Sequence, residues 1–171
     1  GRVVFIGNEK SFNHEVRLEK NGLCLKAEGL VGLPGFVDPH THLPFAGTRE
    51  QEFILRLKGY TYQQLAQKGL GIQTTVRATR GASKEELLSL CLSRLDSMLL
   101  HGTTTTEAKS GYGLNFEDEI KQLEILKELH KLHPIDVVPT FMGAHEVPVE
   151  YRNKKSDYIE FLIHRIMPEV K

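Results

Sequence analysis

Residues 34–42 read PGFVDPHTH, a short apolar run that leads into polar residues. Phe36 and Val37 follow a Pro-Gly pair, and this composition is typical of a short buried strand that starts after a turn. His40 and His42 stand where that strand ends. The stretch therefore predicts a strand whose C-terminal end carries the side chains of a site.

The rest of the chain alternates between strand signals and helix signals. β-branched and aromatic residues are concentrated at 103–108 and 137–141, and both runs predict strands. Apolar residues spaced three and four apart predict three helices, which begin after Ser83, Asn115 and Ser156. Strands and helices in this order are the signature of parallel βα units joined by right-handed crossovers. The pattern fits a (β/α)8 barrel or an open doubly wound sheet.

Two regions lack this regular pattern. Residues 1–33 contain short β-like pieces separated by Gly- and Asn-containing turns. Residues 43–82 are rich in Gly and Thr and predict an unusually long connection, of the kind that tends to be functional. The chain starts at Gly1 in place of Met and stops at Lys171 directly after a helical pattern, so we expect both ends to continue in a longer protein.

The composition argues against several classes of protein. Lys and Arg together number 22, as do Asp and Glu, so the net charge of zero argues against nucleic acid or an anionic membrane as a partner. Cys24 and Cys91 form neither a metal-binding spacing nor a disulfide framework, which fits a reducing cytoplasm. No apolar run approaches the roughly 18 residues that a transmembrane helix needs. We therefore expect a cytoplasmic protein.

His40 and His42 are the first candidates for chemistry. Residues two apart on a strand point to the same face, so both imidazoles can bind one metal ion. Eight histidines placed at random would give roughly 0.4 such pairs, so the spacing alone is weak support. The position of the pair at a strand end is what favours metal binding. Asp38 has the same parity and could orient one of the histidines.

Four further residues lie near or beyond predicted strand ends. Tyr112 and His145 each follow a strand beside small residues, and together they indicate a shared pocket. Arg49 is either a solvated surface charge or a planar donor for a substrate carboxylate. Lys109 is either a buried cation or an ordinary loop residue, and the sequence does not decide between them.

Longer stretches carry a resemblance to a known family. Residues 34–42 resemble the first-strand metal motif of the amidohydrolase superfamily. Four stretches narrow this resemblance to the imidazolonepropionases: HTHLPFAGTREQEF from His40, TVRATR from Thr75, EAKSGYGL from Glu107 and FMGAHEVP from Phe141. The resemblance covers essentially the whole chain, and the joint match is specific although each piece alone is not.

The resemblance implies a fold and an activity. Residues 34–171 would form the first three βα units of a (β/α)8 TIM barrel, and residues 1–33 would be one part of a small β-sandwich domain. The imidazolonepropionases hydrolyse the cyclic amide 4-imidazolone-5-propanoate to N-formimidoyl-L-glutamate in histidine degradation. They use one Zn²⁺ or Fe³⁺ ion per complete active site, and two histidines suit either metal.

The resemblance also assigns roles to residues. His40 and His42 match the first two metal ligands of the family. The substrate-contacting positions are matched by Arg49, Tyr112 and His145, and less closely by Tyr62. Arg49 is expected to hold the propionate carboxylate. His145 is expected to be catalytic, by polarising the ring carbonyl or by anchoring the substrate while an activated water attacks.

The family's third histidine ligand, its aspartate ligand and its proton-transfer carboxylate belong to later barrel strands, which these 171 residues do not include. A catalytic zinc ion normally has three protein ligands and a water. We therefore expect the chain alone to bind metal weakly, to fold poorly and not to turn over substrate, because three barrel strands leave an edge unpaired. The expected partner is the small-molecule substrate. A homodimer is also possible, because such barrels commonly pair.

Three other interpretations stay open at this point. Another amidohydrolase, such as a deaminase or a different cyclic amidase, would share the first-strand motif but not the stretches after Glu107. A non-catalytic metal-binding fragment would keep the same residues without the missing ligands. A nucleotide-binding doubly wound domain has little support, because no phosphate-binding loop opens a helix.

Overall fold

A computed structural model describes residues 2–170 of the chain. Its contacts divide the chain into two compact units, the first ending at Pro34 and the second beginning at Gly35. None of the described helices is both long enough and apolar enough to span a membrane.

The first unit contains one short helix, α1 (Glu9–Glu15), and no strand within residues 2–34. The Asn8 side chain caps this helix by accepting a hydrogen bond from the Ser11 N–H at 3.0 Å. The prediction of short β-like pieces in this unit is wrong for the described residues. A strand must pair its N–H and C=O groups with a neighbouring strand, and this unit supplies none. The β-sandwich stays a prediction.

The second unit is built on a parallel sheet of three strands in the order β1-β2-β3. The strands are β1 (Phe36–Thr41), β2 (Thr103–Lys109) and β3 (Asp136–Thr140). Their parallel pairing confirms the predicted mixed α/β arrangement, and closure into a barrel stays a prediction. The register of β1 shifts between Asp38 and Thr41, where the ring of Pro39 removes a backbone donor.

Three short helices occupy most of the region that was predicted as a long connection: α2 (Glu50–Leu57), α3 (Tyr62–Gln67) and α4 (Ile72–Gly81). That prediction is wrong, because helices of six to ten residues are too short to show a clear apolar period. The start of α3 carried a readable signal. Thr61 and Gln64 form a capping box, in which each side chain accepts a hydrogen bond from the other residue's backbone N–H.

Two long helices follow, and both begin where the sequence predicts. Helix α5 (Lys84–Leu100) starts at a capping box built on Ser83. Helix α6 (Phe116–Leu132) starts after Asn115, whose side-chain oxygen accepts a hydrogen bond from the Asp118 N–H at 2.7 Å. These caps satisfy backbone donors that would otherwise lack partners, so they determine where each helix begins.

The core lies between these two helices and one face of the sheet. Its fully buried side chains include Leu87, Cys91, Leu95, Ala108, Ile125, Leu126 and Leu129. On β1, Phe36 and Val37 are 59% and 65% exposed. The prediction that this strand is buried is therefore wrong among the described residues. Successive strand residues point to opposite faces, so β1, at the edge of the sheet, is open on both faces here.

The C-terminal segment forms helix α7 (Lys155–Phe161), and the chain then winds on through one π turn and one 3₁₀ turn up to Glu169. Pro168 lies inside the last turn. It does not end the helix in the way that was predicted, since proline is tolerated in the first turn of a helical segment. Tyr158 anchors α7 by donating its hydroxyl to the Gly143 carbonyl at 2.7 Å.

Replacing Leu95 by Ala tests the core. Leu95 is completely buried on α5, so the substitution should lower the free energy of unfolding by about 2–5 kcal/mol through lost contacts and a cavity. Urea denaturation of the purified protein measures this change. Leu90→Ala is the matched control, because Leu90 lies on the same helix but is 39% exposed, and its cost should stay below about 1 kcal/mol. Equal costs for the two variants would contradict the packing described here.

Candidate functional site

Four rings from three strand ends meet at the carboxyl edge of the sheet, and the His42 ring is their centre. Its centroid lies 5.9 Å from that of His40, 5.0 Å from that of Tyr112 and 4.7 Å from that of His145. His40 lies on β1 and His42 directly follows it, whereas Tyr112 and His145 follow β2 and β3. Parallel strands bring their carboxyl ends to one edge, so the topology itself gathers these residues.

The two histidines of the first strand are arranged as metal ligands can be. Two imidazoles that bind one ion at about 2 Å have ring centroids about 5–6 Å apart, and the observed separation of His40 and His42 is 5.9 Å. Their nitrogen donors suit zinc or iron. Within residues 2–170, however, no group of three or more His, Cys, Asp or Glu side chains could hold a metal ion. The described residues therefore offer a pair of histidines, and metal binding by this pair stays a prediction.

A backbone carbonyl determines which nitrogen of His42 is free. Nδ1 of His42 lies 3.0 Å from the carbonyl oxygen of Ser110. Because a carbonyl can only accept, Nδ1 carries the proton and the lone pair of Nε2 stays available. Metal-bound histidines in proteins are usually held by such a bond from the second ring nitrogen.

His42 is neutral near pH 7 in this environment. The pKa of its ring is lowered to about 4. Burial is the largest cause, and the charges of His145, His40 and Lys109 act in the same direction. The Ser110 carbonyl opposes this shift, because it favours the protonated ring. A neutral imidazole is the form that binds a metal ion.

His145 and Tyr112 form the rest of the ring cluster. The His145 ring stacks on His42 with an angle of 18° between their planes, and its Nδ1 lies 2.9 Å from the carbonyl oxygen of Gly111. Tyr112 packs edge-on against His145 at 5.2 Å. Burial raises the pKa of the Tyr112 phenol, and the charge of Arg49 opposes that rise. The phenol is therefore a neutral hydrogen-bond donor at pH 7.

The remaining two predicted substrate contacts lie outside the ring cluster. Arg49 is exposed just before α2, and no hydrogen bond or ion pair of its side chain is found within residues 2–170. Its charge nevertheless acts on Tyr112. Tyr62, at the start of α3, is 56% exposed. Its hydroxyl lies beside Gly71, and no described ring contact joins it to the histidines.

The side chains of Asp38 and Lys109 both contact residues of their own strand. Asp38 accepts a hydrogen bond from the backbone N–H of His40 at 3.1 Å, so it fixes the backbone and does not reach a histidine ring. Lys109 forms an ion pair with Glu107, and both side chains are mostly buried. Lys109 is therefore a buried cation held on the strand.

Sequence reasoning missed the groups that hold the loops in place. Arg94 on α5 donates to the carbonyls of Leu43 and Phe45 at 2.5 and 2.8 Å, and its guanidinium lies 3.7 Å from the centre of the Phe45 ring. These contacts fix the segment after β1. In the sequence Arg94 appears as an ordinary polar position of an amphipathic helix, so no signal identified it.

Glu119 on α6 is the second missed group. It is completely buried and accepts hydrogen bonds from the backbone N–H groups of Gly111, Gly113 and Leu114 at 3.1, 2.9 and 2.8 Å. It thereby holds the turn that carries Tyr112. The sequence offered one signal, the two glycines at 111 and 113, which indicate an unusual backbone path.

The chain was compared with protein-family models and with curated proteins. No family model matches it. An imidazolonepropionase of Symbiobacterium thermophilum is 52% identical over 99% of this chain, and that of Geobacillus thermodenitrificans is 53% identical over 99%. The imidazolonepropionase of Herpetosiphon aurantiacus is 50% identical over 99%. The chain spans about 40% of the length of these relatives. With identities near 50% along its whole length, the chain belongs to the imidazolonepropionase family.

Proposed function

We propose that this chain supplies the first two metal ligands and several substrate contacts of an enzyme that hydrolyses 4-imidazolone-5-propanoate to N-formimidoyl-L-glutamate in histidine degradation. The observation that carries the proposal is the meeting of His40, His42, Tyr112 and His145 at the carboxyl edge of the sheet. We place the reaction in the cytoplasm, on a (β/α)8 barrel with a small β-sandwich domain. The proposed partner is the small-molecule substrate. We also propose that the enzyme forms a homodimer.

His40 and His42 would hold the metal, a Zn²⁺ or Fe³⁺ ion, with its other ligands coming from later strands of the family's barrel. When bound, the ion supplies Lewis acidity that activates water at neutral pH. His42 contributes a neutral ring whose orientation is held by Ser110. The ion pair with Glu107 offsets part of the positive charge that Lys109 places near the His42 ring.

The hydrogen bond of His145 limits what this residue can do. Its Nδ1–H is committed to the Gly111 carbonyl, so only Nε2 is left for a substrate. In the neutral ring Nε2 accepts, which suits an N–H of the imidazolone ring. In the protonated ring Nε2–H donates, which suits the carbonyl oxygen and the negative charge that develops on it during attack. His145 is therefore proposed as the residue that anchors the ring or polarises its carbonyl.

Arg49 is proposed to bind the propionate carboxylate. Its guanidinium is exposed and free of described hydrogen bonds, and its planar fork can hold a carboxylate through two parallel bonds. The effect of its charge on Tyr112 indicates that it acts close to the ring cluster. The neutral Tyr112 hydroxyl would add a donor beside it, and the exposed ring of Tyr62 would be a further substrate contact.

Replacing Arg49 by Met tests the carboxylate contact. The variant is made in a complete enzyme that carries this segment, and the KM should rise about 10–100-fold, because a charge-assisted pair of hydrogen bonds is lost. Steady-state kinetics give the KM and the kcat separately. Arg56→Met is the matched control, since Arg56 is an exposed arginine on α2, and it should leave the KM unchanged. An unchanged KM in the Arg49 variant would remove this assignment.

Metal binding by the 171-residue chain itself is expected to be weak and without turnover, because two imidazoles are fewer than the three protein ligands of a catalytic zinc site. Calorimetric titration with Zn²⁺ measures the affinity, and His42→Ala should abolish it. His130→Ala is the control, since His130 is exposed on α6 and should not affect binding. Tight one-to-one binding with turnover by this chain would refute the expectation.

The burial of His42 predicts a pH dependence of stability in the metal-free protein. In the unfolded chain the ring gains a proton near pH 6.5, and in the folded chain only near pH 4. The unfolded state thus binds more protons between these values, so the free energy of unfolding falls as the pH is lowered through this window. We expect a loss of about 1–2 kcal/mol, reduced because the ring is only partly buried.

Urea denaturation at pH 7 and pH 5 measures this loss in the wild type and in His42→Gln. The variant keeps an amide that can donate to the Ser110 carbonyl, but it has no titrating ring, so part of the loss should disappear. His130→Gln should retain the whole loss. An identical acid dependence in wild type and His42→Gln would contradict the prediction.

A further inference from the structure

The turn at residues 110–114 separates the ring cluster from helix α6, and two successive peptide groups in it have the same arrangement. Each carbonyl accepts a hydrogen bond from a histidine of the site, and each N–H donates to a buried side chain of α6. The two α6 residues are Glu119 and Gln122, which are three apart on the helix and completely buried. The repetition shows that the turn connects both histidines to α6.

The first peptide group joins Ser110 to Gly111. Its carbonyl oxygen accepts from Nδ1–H of His42 at 3.0 Å, and its N–H donates to Oε2 of Glu119 at 3.1 Å. Resonance couples the two ends of a peptide group. A carboxylate on the N–H therefore makes the carbonyl oxygen a stronger acceptor and strengthens its bond to His42.

The second peptide group joins Gly111 to Tyr112. Its carbonyl accepts from Nδ1–H of His145 at 2.9 Å, and its N–H donates to Oε1 of Gln122 at 3.4 Å. Here the α6 partner is a neutral amide and the contact is long. The stronger, charged connection thus leads to the proposed metal ligand, and the weaker, neutral one leads to the proposed substrate contact.

The backbone of the turn is specialised for these bonds. Gly111 has a φ of 106°, and a Cβ at this position would lie 2.8 Å from the Met142 carbonyl oxygen and 2.9 Å from Cβ of His145. Glu119 makes no ion pair within residues 2–170. All its described hydrogen bonds go to N–H groups of this turn, so its buried charge acts on the turn and, through it, on His42.

We propose that Glu119 and Gln122 are positioning residues that act through two consecutive peptide groups, Glu119 on His42 and Gln122 on His145. They hold each histidine in the tautomer with the proton on Nδ1 and leave each Nε2 free. Metal-ligating histidines commonly have a carboxylate on the other ring nitrogen, and here the carboxylate acts from one peptide group away. The effect on metal binding rests on the proposed function, whereas the effect on the tautomers does not.

The test reads the ring nitrogens directly. Long-range ¹H–¹⁵N spectra of the metal-free protein should show both His42 and His145 as Nδ1–H tautomers. In Glu119→Gln, His42 should become a mixture of tautomers while His145 is unchanged, because an amide group is a weaker acceptor for the Gly111 N–H. In Gln122→Met the pattern should reverse. Glu117→Gln is the matched control, since it removes an exposed carboxylate from the first turn of the same helix and should change neither ring.

Zinc affinity gives a second readout. In a complete enzyme that carries this segment, Glu119→Gln should weaken Zn²⁺ binding about 10–100-fold relative to wild type, and Glu117→Gln should not. An Nε2–H tautomer at His42 in the wild type would overturn the proposal. So would tautomers and Zn²⁺ affinity in Glu119→Gln that equal those of Glu117→Gln.

Two further outcomes are separable. If Glu119→Gln fails to fold, Gln122→Met decides. Mixed tautomers at His145 alone support the proposed connection through the peptide groups, and an unchanged His145 overturns it. If the tautomers behave as proposed but a complete enzyme does not hydrolyse 4-imidazolone-5-propanoate, the proposed function is wrong. The positioning roles of Glu119 and Gln122 are then still supported.

Discussion

The buried carboxylate of Glu119 is the interaction on which the site depends. Burying a charge costs several kcal/mol unless hydrogen bonds replace its water, and here three backbone N–H groups do so. These bonds hold a turn that includes one unfavourable backbone conformation, a φ of 55° at Leu114, and a φ of 106° at position 111 that only glycine adopts readily. Without the carboxylate, the N–H groups of Gly111, Gly113 and Leu114 would lose their described partners inside the protein.

The sheet and the helices connect to this turn from several sides. Ser110 ties the ends of two strands together, because its N–H donates to the Thr140 carbonyl and its hydroxyl accepts from the Met142 N–H. From α4, the Arg80 guanidinium donates to the Gly113 carbonyl at 2.6 Å. The site therefore does not rest on flexible loops alone. A parallel sheet brings the strand ends together, and a small set of buried polar groups then fixes each side chain.

The sequence was informative where local patterns determine structure. Strand–helix alternation predicted the parallel sheet, and the caps at Ser83 and Asn115 predicted where the long helices begin. Residues placed just beyond strand ends, such as Tyr112 and His145, were predicted to share a pocket, and their rings lie 5.2 Å apart. The closeness of the rings could be inferred because the position of a strand end follows from topology, and the shared pocket itself stays a prediction.

Other features depend on contacts between distant parts of the chain, which periodicity does not report. Glu119 and Arg94 occupy polar positions of amphipathic helices, and only the folded structure shows that they bind backbone groups across the core. The exposure of Phe36 and Val37 was also unpredictable, since it depends on whether other parts of a chain pack against this edge strand. The helices between 50 and 81 were missed because each is too short to show a period.

The central claim is that residues from three strand ends form one site around His42. Nuclear Overhauser spectra of the metal-free protein, with the histidine and tyrosine rings assigned, test it most directly. The ring centroids lie 4.7–5.2 Å apart, so cross-peaks should connect the ring protons of His42 with those of His145 and Tyr112. If the assigned rings show no such cross-peaks while the core of α5 and α6 is folded, the strand ends do not form this site and the account is wrong.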